Sequence, residues 1–442
     1  MKRLVLATLL LGFPLSAQPA APVARPPALT PLDALYPELD ALYIDLHQTP
    51  ELSLHEEKTA AKMATRLRAL GFEVTERVGG WGVVGVLKNG KGPTVLVRTD
   101  MDALPIKEQT GLPYASTTTA KNDAGEIVPV MHACGHDVHM TSWVGAATLL
   151  ARAKNRWSGT LVFVGQPAEE VLQGAEAMVK DGVLTRFPKP DFVLGLHDTN
   201  FIPAGQIGIV VGPASAASNA VDVTFYGRGG HGAAPHRTID PVVMAARAVV
   251  TLQTIVSREV NPFDPAVVTV GTFHAGTKRN IIPDEAKLEL TVRSYKPSVQ
   301  KQLLAAIERI VKAEAAAAGA PKEPAVFVDP KEASEVVVND LALTGRLDAA
   351  LHRSLGDQVV TIGPTSASED IGVFGRVAGV PSVQLRVGAP EAGVFAKAKA
   401  EGNLPPGPHN GGFKPDKEPT IRGGVAALTL SVLELCPPAP KP

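Results

Sequence analysis

The chain has 442 residues, 45% of them hydrophobic and 20% charged, with a formal net charge of −1. That length exceeds one ordinary core and favours two domains, while interspersed charge of both signs excludes an electrostatic footprint for nucleic acid or an anionic membrane. Only Cys134 and Cys436 are present, so a disulfide scaffold is excluded by arithmetic.

At the amino terminus, MKRLVLATLLLGFPLSAQ sets Lys2 and Arg3 before an apolar run over residues 4–13 and small residues ending at Ala17. This is the layout of a cleavable export signal. The run is shorter than the roughly 20 apolar residues that span a bilayer. Residues 1–17 are therefore expected to be a signal peptide and the mature protein to be periplasmic or secreted, without stable membrane insertion. Residues 18–30, rich in Pro and Ala, read as a linker.

Further along, SLHEEKTAAKMATRLRALG places Ser53 three residues before Glu56, a capping box, then runs with helical periodicity to Gly71. FEVTERV, GVVGVLK and TVLVRT read as strands, followed by an apolar helix from about His139 to Ala153, the strand TLVFVGQ, a helix around Ala175 to Lys180 and the strand DFVLGL. Alternation of this kind predicts an α/β domain with a mostly parallel central sheet. From about Val221 the order becomes β-α-β-β-α-β, through VDVTFYG, DPVVMAARAVVTLQTIVS, AVVTVGTFHAG, KLELTVRSY, SVQKQLLAAIERIVKAEAAAAG and PAVFVDP. That is the split βαβ pattern of a ferredoxin-like α+β sandwich. The α/β style resumes at LALTGRLDAALHRSLG. The predicted architecture is a discontinuous catalytic domain, residues 31–215 and 331–436, interrupted at 216–330 by an inserted lid or dimerisation domain.

Three apolar strands run directly into candidate chemistry: TVLVRT into Asp100-Met101-Asp102, TLVFVGQ into Pro167-Ala168-Glu169-Glu170, and DFVLGL around His197-Asp198. The carboxyl ends of strands are where open α/β sheets build their sites. Singly, the Glu-Glu pair is also a solvated helix start, Asp-Met-Asp a turn, and His197 a core histidine. The stretch MHACGHDVHM is less easily dismissed, because Cys134, His136, Asp137 and His139 crowd a helix entrance. A thiolate and a neutral imidazole suit zinc or a neighbouring transition metal. A cysteine nucleophile needs one base and an orienting group, not several carboxylates, and no G-x-S-x-G elbow is present. The surplus of acidic ligands favours two metals.

RTDMDALP, MHACGHDVH, GQPAEE, GLH and GRGGHGAAPH, in this order, resemble the N-acyl-amino-acid amidohydrolases of the aminoacylase and carboxypeptidase metallopeptidase superfamily, in the branch with hippurate hydrolases and auxin-conjugate hydrolases. The resemblance spans about residues 35–430. It implies two divalent ions, zinc or manganese, held by Cys134, His136, Glu170, His197 and a late histidine. For the last, His409 in PPGPHNGGFKPDKE is the only histidine after His352, although its flanking residues differ from the family's usual pattern. Asp198 also departs from the pattern, standing where the family commonly has an apolar residue.

By the same resemblance Glu169 is the general base that takes a proton from a metal-activated water, and Asp102 orients a ligand. His231 stabilises the developing oxyanion, often across a dimer interface, while Asn280 and Arg293 meet the substrate carboxylate. The implied reaction is hydrolysis of the amide bond of an N-acyl amino acid or small peptide-like conjugate, by a homodimer or higher homo-oligomer. A carboxypeptidase or dipeptidase of the same superfamily is the alternative. A noncatalytic binding protein that keeps the fold has no use for a spare base such as Glu169.

Overall fold

The structure, a computed structural model, describes residues 26–439. The expected signal peptide and most of the expected linker lie outside the described residues. Eight strands form one sheet in the order Glu73–Glu76, Val83–Asn89, Gly159–Gln166, Thr94–Asp100, Phe192–Thr199, Ser382–Gly388, Ile207–Ile209 and Val359–Thr361. The middle four run parallel to one another. Their apolar runs, such as Val95-Leu96-Val97 and Leu161 to Val164, are buried on both faces, as a helix-covered parallel sheet requires.

The helices Leu32–Gln48, Glu57–Ala69, His136–Arg152, Leu341–Leu355 and Lys417–Leu435 supply the main core on one face, and Gly174–Lys180 and Gly372–Ala378 cover the other. Within the first layer, Lys417–Leu435 lies close against His136–Arg152. A Cβ on Gly424 would come within 2.4 Å of Ser142 Oγ, so the missing side chain is what permits that approach. Trp143 fills the space between helix and sheet, fully buried, and its indole N–H donates to the Val97 carbonyl at 2.9 Å. Among the described residues no helix is long and apolar enough to cross a membrane.

The second sheet runs Ala266–Ala275, Glu285–Ser294, Ala217–Tyr226, Ala325–Ser334, antiparallel throughout. Helices Pro241–Thr254 and Pro297–Ala317 pack on it around Val221, Phe225, Leu288 and Ile307, giving the ferredoxin-like sandwich. The chain enters and leaves this unit side by side, because Gly212–Ser215 pairs antiparallel with Val337–Asn339.

Several boundaries differ from the sequence expectation. The last strand of the inserted unit extends to Ser334, beyond the expected limit at residue 330. Pro27–Leu29, expected to be linker, form a short 3-10 turn that buries Ala28 and Leu29 in the core. The apolar helix starts at His136 rather than His139. No capping box forms: the helix begins at Glu57 with no side-chain cap. Ser53 instead donates to Asp102 Oδ2 at 2.7 Å, and Glu56 turns inward to accept from the Ala168 N–H at 2.8 Å. The long-range contacts of both side chains, with Glu56 fully buried, override the local pairing.

Candidate metal centre

Parallel pairing sets Asp100 opposite Gln166, so the segments that follow the two strands emerge at one edge of the sheet. The third segment comes from Phe192–Thr199, which carries His197 and Asp198. Facing them is the turn before helix His136–Arg152. There Gly135 adopts φ +71°, a left-handed conformation that glycine adopts without penalty. A Cβ at that position would lie 1.9 Å from Asp198 Oδ2, so the residue between the two candidate ligands must be glycine for space as well as for conformation.

The imidazoles are held in defined tautomers. His136 Nδ1–H donates to the Asp102 carbonyl at 2.7 Å, and His197 Nδ1–H donates to the Asp198 carbonyl at 2.8 Å. Each bond leaves Nε2 as the free lone pair. His197 Nε2 lies 3.6 Å from Cys134 Sγ, while His136 Nε2 lies 3.7 Å from Glu170 Oε1 and 3.8 Å from Glu169 Oε2. His409, on the loop before the last helix and at φ +64°, brings Nε2 to 3.1 Å from Glu170 Oε2. The ligand atoms of Cys134, His136 and His197 fall within 4.8 Å of one another, as do those of Cys134, Glu170 and His409, and those of His136, Glu169 and Glu170. All five residues expected as metal ligands thus converge.

A second ring of contacts fixes these groups. Asp102 Oδ2 accepts from the Glu170 N–H at 2.9 Å as well as from Ser53. His139 Nδ1 lies 2.7 Å from Asp100 Oδ1, and its Nε2 accepts from the Asp198 N–H at 2.9 Å. Arg98, 1% exposed, pairs with Asp100 at 2.6 Å, Glu369 at 2.9 Å and Asp370 at 3.1 Å.

The electrostatics are those of a site short of positive charge. Burial, reinforced by Glu369, Glu170 and Asp370 and opposed by Arg98, pushes the Glu169 carboxyl well above the usual range. Burial together with Glu170 and Glu169 pushes the Cys134 thiol up. Although burial works against it, Asp100, Asp102 and Glu170 raise His136 well above an ordinary histidine. His136 Nε2 and Glu170 Oε1 are buried with no hydrogen-bond partner. Orphaned imidazole and carboxylate atoms, converging with the Cys134 thiol within coordination reach, fit divalent cations.

Not every expected residue joins this cluster. Arg293 lines the same cleft, of about 880 Å³, and hydrogen-bonds Ser368 Oγ through Nη1. His231 and Asn280 do not line it. His231 is exposed on Gly230–His231, which pairs with Ile281–Ile282, and its Nδ1 accepts from the Ala233 N–H at 3.0 Å. Sequence reasoning missed Arg98, Glu369 and Arg386 as parts of the site. His139 carried a signal, since it lies three residues after His136 on one helix face. The pairing of Arg98 with Glu369 spans 271 residues and carried none.

The sequence profile of peptidase family M20/M25/M40 matches residues 96–402. A hippurate hydrolase of Campylobacter jejuni is 37% identical over 340 residues, covering 76% of this chain and 85% of that protein. An N-acetyl-L-cysteine deacetylase of Bacillus subtilis is 36% identical over 344 residues, covering 78% and 79%. Among solved structures, a dinuclear metal-binding peptidase of Bacillus subtilis superposes with a TM-score of 0.73 at 29% identity, covering 91% of this chain and 99% of that one.

Proposed function

The chain belongs to peptidase family M20/M25/M40 and is a metal-dependent amidohydrolase of N-acyl amino acids and small peptide-like conjugates; we propose that Cys134, His136, Glu170, His197 and His409 hold its two divalent ions and that Glu169 is its general base. The observation that carries this reading is the overlap of two ligand groups, Cys134/His136/His197 and Cys134/Glu170/His409, through one shared sulfur. Beside them Glu169 remains as a buried carboxylate with a raised proton affinity.

When bound, divalent ions supply Lewis acidity, polarising a carbonyl and lowering the pKa of water towards about 7. The chain's own residues do the rest. Glu169 takes the proton of the attacking water and returns it to the leaving nitrogen. The Asp102 and Asp198 carbonyls keep His136 and His197 in the tautomer whose Nε2 faces the cluster. Asp102 further anchors the Glu170 backbone, so the Glu-Glu pair is held from one side. The thiolate and imidazole donors suit zinc, and the carboxylates extend the set to manganese.

His231 lies outside its own chain's cleft and is exposed, which supports a reading in which a second copy brings it to the site in a homodimer. Arg293 in the cleft supports contact with the substrate carboxylate. The amino-terminal sequence supports export to the periplasm or medium, for which mass spectrometry of the exported protein's terminus is the test. For the function itself, the test is hydrolysis of N-acetyl and N-benzoyl amino acids and of dipeptides, with metal content measured and chelator added. Turnover that survives complete metal removal would sink the mechanism.

A further inference from the structure

Arg386 is a buried cation for which the reaction just derived has no use. It sits on the strand Ser382–Gly388 in parallel register with His197, so the two side chains leave the sheet on the same face. It is 5% exposed, and its guanidinium makes a single hydrogen bond, Nη2 to Ser215 Oγ at 3.0 Å. Among the described residues, no carboxylate forms an ion pair with it. The contrast with Arg98 is direct, since that equally buried cation holds three carboxylates.

The acidic groups near Arg386 do not bond it. Glu369 is taken by Arg98 at 2.9 Å, and the Asp198 carboxylate, buried without a hydrogen-bond partner, lies 3.2 Å from His197 Nδ1 and 3.6 Å from His139 Nε2 and forms no ion pair with Arg386. Burial is the largest influence on the guanidinium and lowers its pKa, so the field of Glu369, Asp198, Cys134 and Glu169 does not compensate the lost hydration. A guanidinium offers five N–H donors in a planar fork matched to a carboxylate. A buried charge with one neutral partner is costly unless an anion arrives to complete it.

Arg386 lines the cleft that holds Cys134, His197 and Glu169, and Arg293 enters that cleft from the inserted unit. Two cations from two different walls suit two anionic groups on one ligand. We propose that Arg386, seated against Ser215, receives a second carboxylate of the substrate, carried on the acyl arm or on the amino-acid side chain, so that the site selects dianionic N-acyl amino acids. The inference rests on the amidohydrolase reading for the identity of the substrate.

Two substrate pairs that differ by one charge at nearly constant shape decide it on the metal-loaded enzyme: N-acetylglutamate against N-acetylglutamine for the side chain, and N-succinylleucine against N-succinamylleucine for the acyl arm. One pair is expected to favour the carboxylate roughly ten- to a hundredfold in kcat/KM, the range of a charge-assisted hydrogen-bonded contact. Arg386→Met should bring that ratio to about one, and Arg386→Lys should leave it intermediate, because a point charge replaces the fork. Calorimetric titration with glutarate and glutaramate reads the same preference without turnover, and wild-type protein should bind glutarate more tightly. Ratios near one in both substrate pairs together with equal affinity for the two titrants would overturn the proposal. So would a variant that lowers both members of a pair equally, which is the mark of a structural or oxyanion role. Failure of the wild-type enzyme to cleave any of the four substrates would count against the amidohydrolase reading, and the titration would still decide Arg386.

Discussion

Gly135 separates the two ligands that the sequence places closest together. Its φ of +71°, and the 1.9 Å that would separate an added Cβ from Asp198 Oδ2, make it a point where one methyl group is resisted twice. Gly135→Ala is expected to cost about 1–2 kcal/mol from the left-handed backbone alone, with more from displacing Asp198, as read by urea denaturation. An unchanged midpoint would show that the turn relaxes. Glu169→Gln tests the neighbouring claim about the base: kcat/KM should fall by about 10²–10⁴ while elemental analysis finds the metal content of the wild type. At this scale the sequence was most legible where the chemistry is local. Cys134, His136, Glu169 and Glu170 stand out because they fall in short motifs at strand and helix ends. Arg386 and Arg98 read as ordinary strand residues, since alternation along a strand says which face a side chain takes but not what waits there.

Among the elements, the ends of parallel strands carry the site, and the sequence marked them because each apolar run stops at an acidic or histidine-bearing segment. The start of helix Glu57–Ala69 shows the opposite case. Its Ser53 and Glu56 fit a capping box, yet both side chains serve Asp102 and Ala168 on other segments, and no local pattern distinguishes the two uses. Glu56 also gives the helix start a pH dependence. Burial first, then Asp102, raise its carboxyl to about 7, against the opposing N–H groups of Ala168 and Leu54, whereas a free glutamate titrates at 4.5. A raised folded-state pKa means that the group's contribution is fully present below pH 4.5 and is lost as pH rises through about 7. Glu56→Gln removes that titration, so its thermal midpoint relative to wild type should be higher at pH 8 than at pH 4.5, roughly one unit above and well below the raised pKa. Equal offsets at both pH values would contradict the assignment.

For the molecule as a whole, the ferredoxin-like insertion was legible from the order of its strands and helices, while the eight-strand order was not, because periodicity carries no information on which strands become neighbours. The insertion returns beside its point of departure through the paired segments Gly212–Ser215 and Val337–Asn339, and it carries His231 on a surface away from the cleft. If a partner copy supplies that histidine, mixing Glu169→Gln with His231→Ala protein should restore roughly a quarter of wild-type activity by random pairing in a two-fold dimer. Mixtures as inactive as their components would remove the shared site. The central claim is tested most directly by metal-dependent turnover of N-benzoyl and N-acetyl amino acids on protein of known metal content. Activity is expected to vanish on complete chelation, to return with zinc or manganese, and to saturate at two ions per chain. Full activity in metal-free protein would contradict the two-metal mechanism.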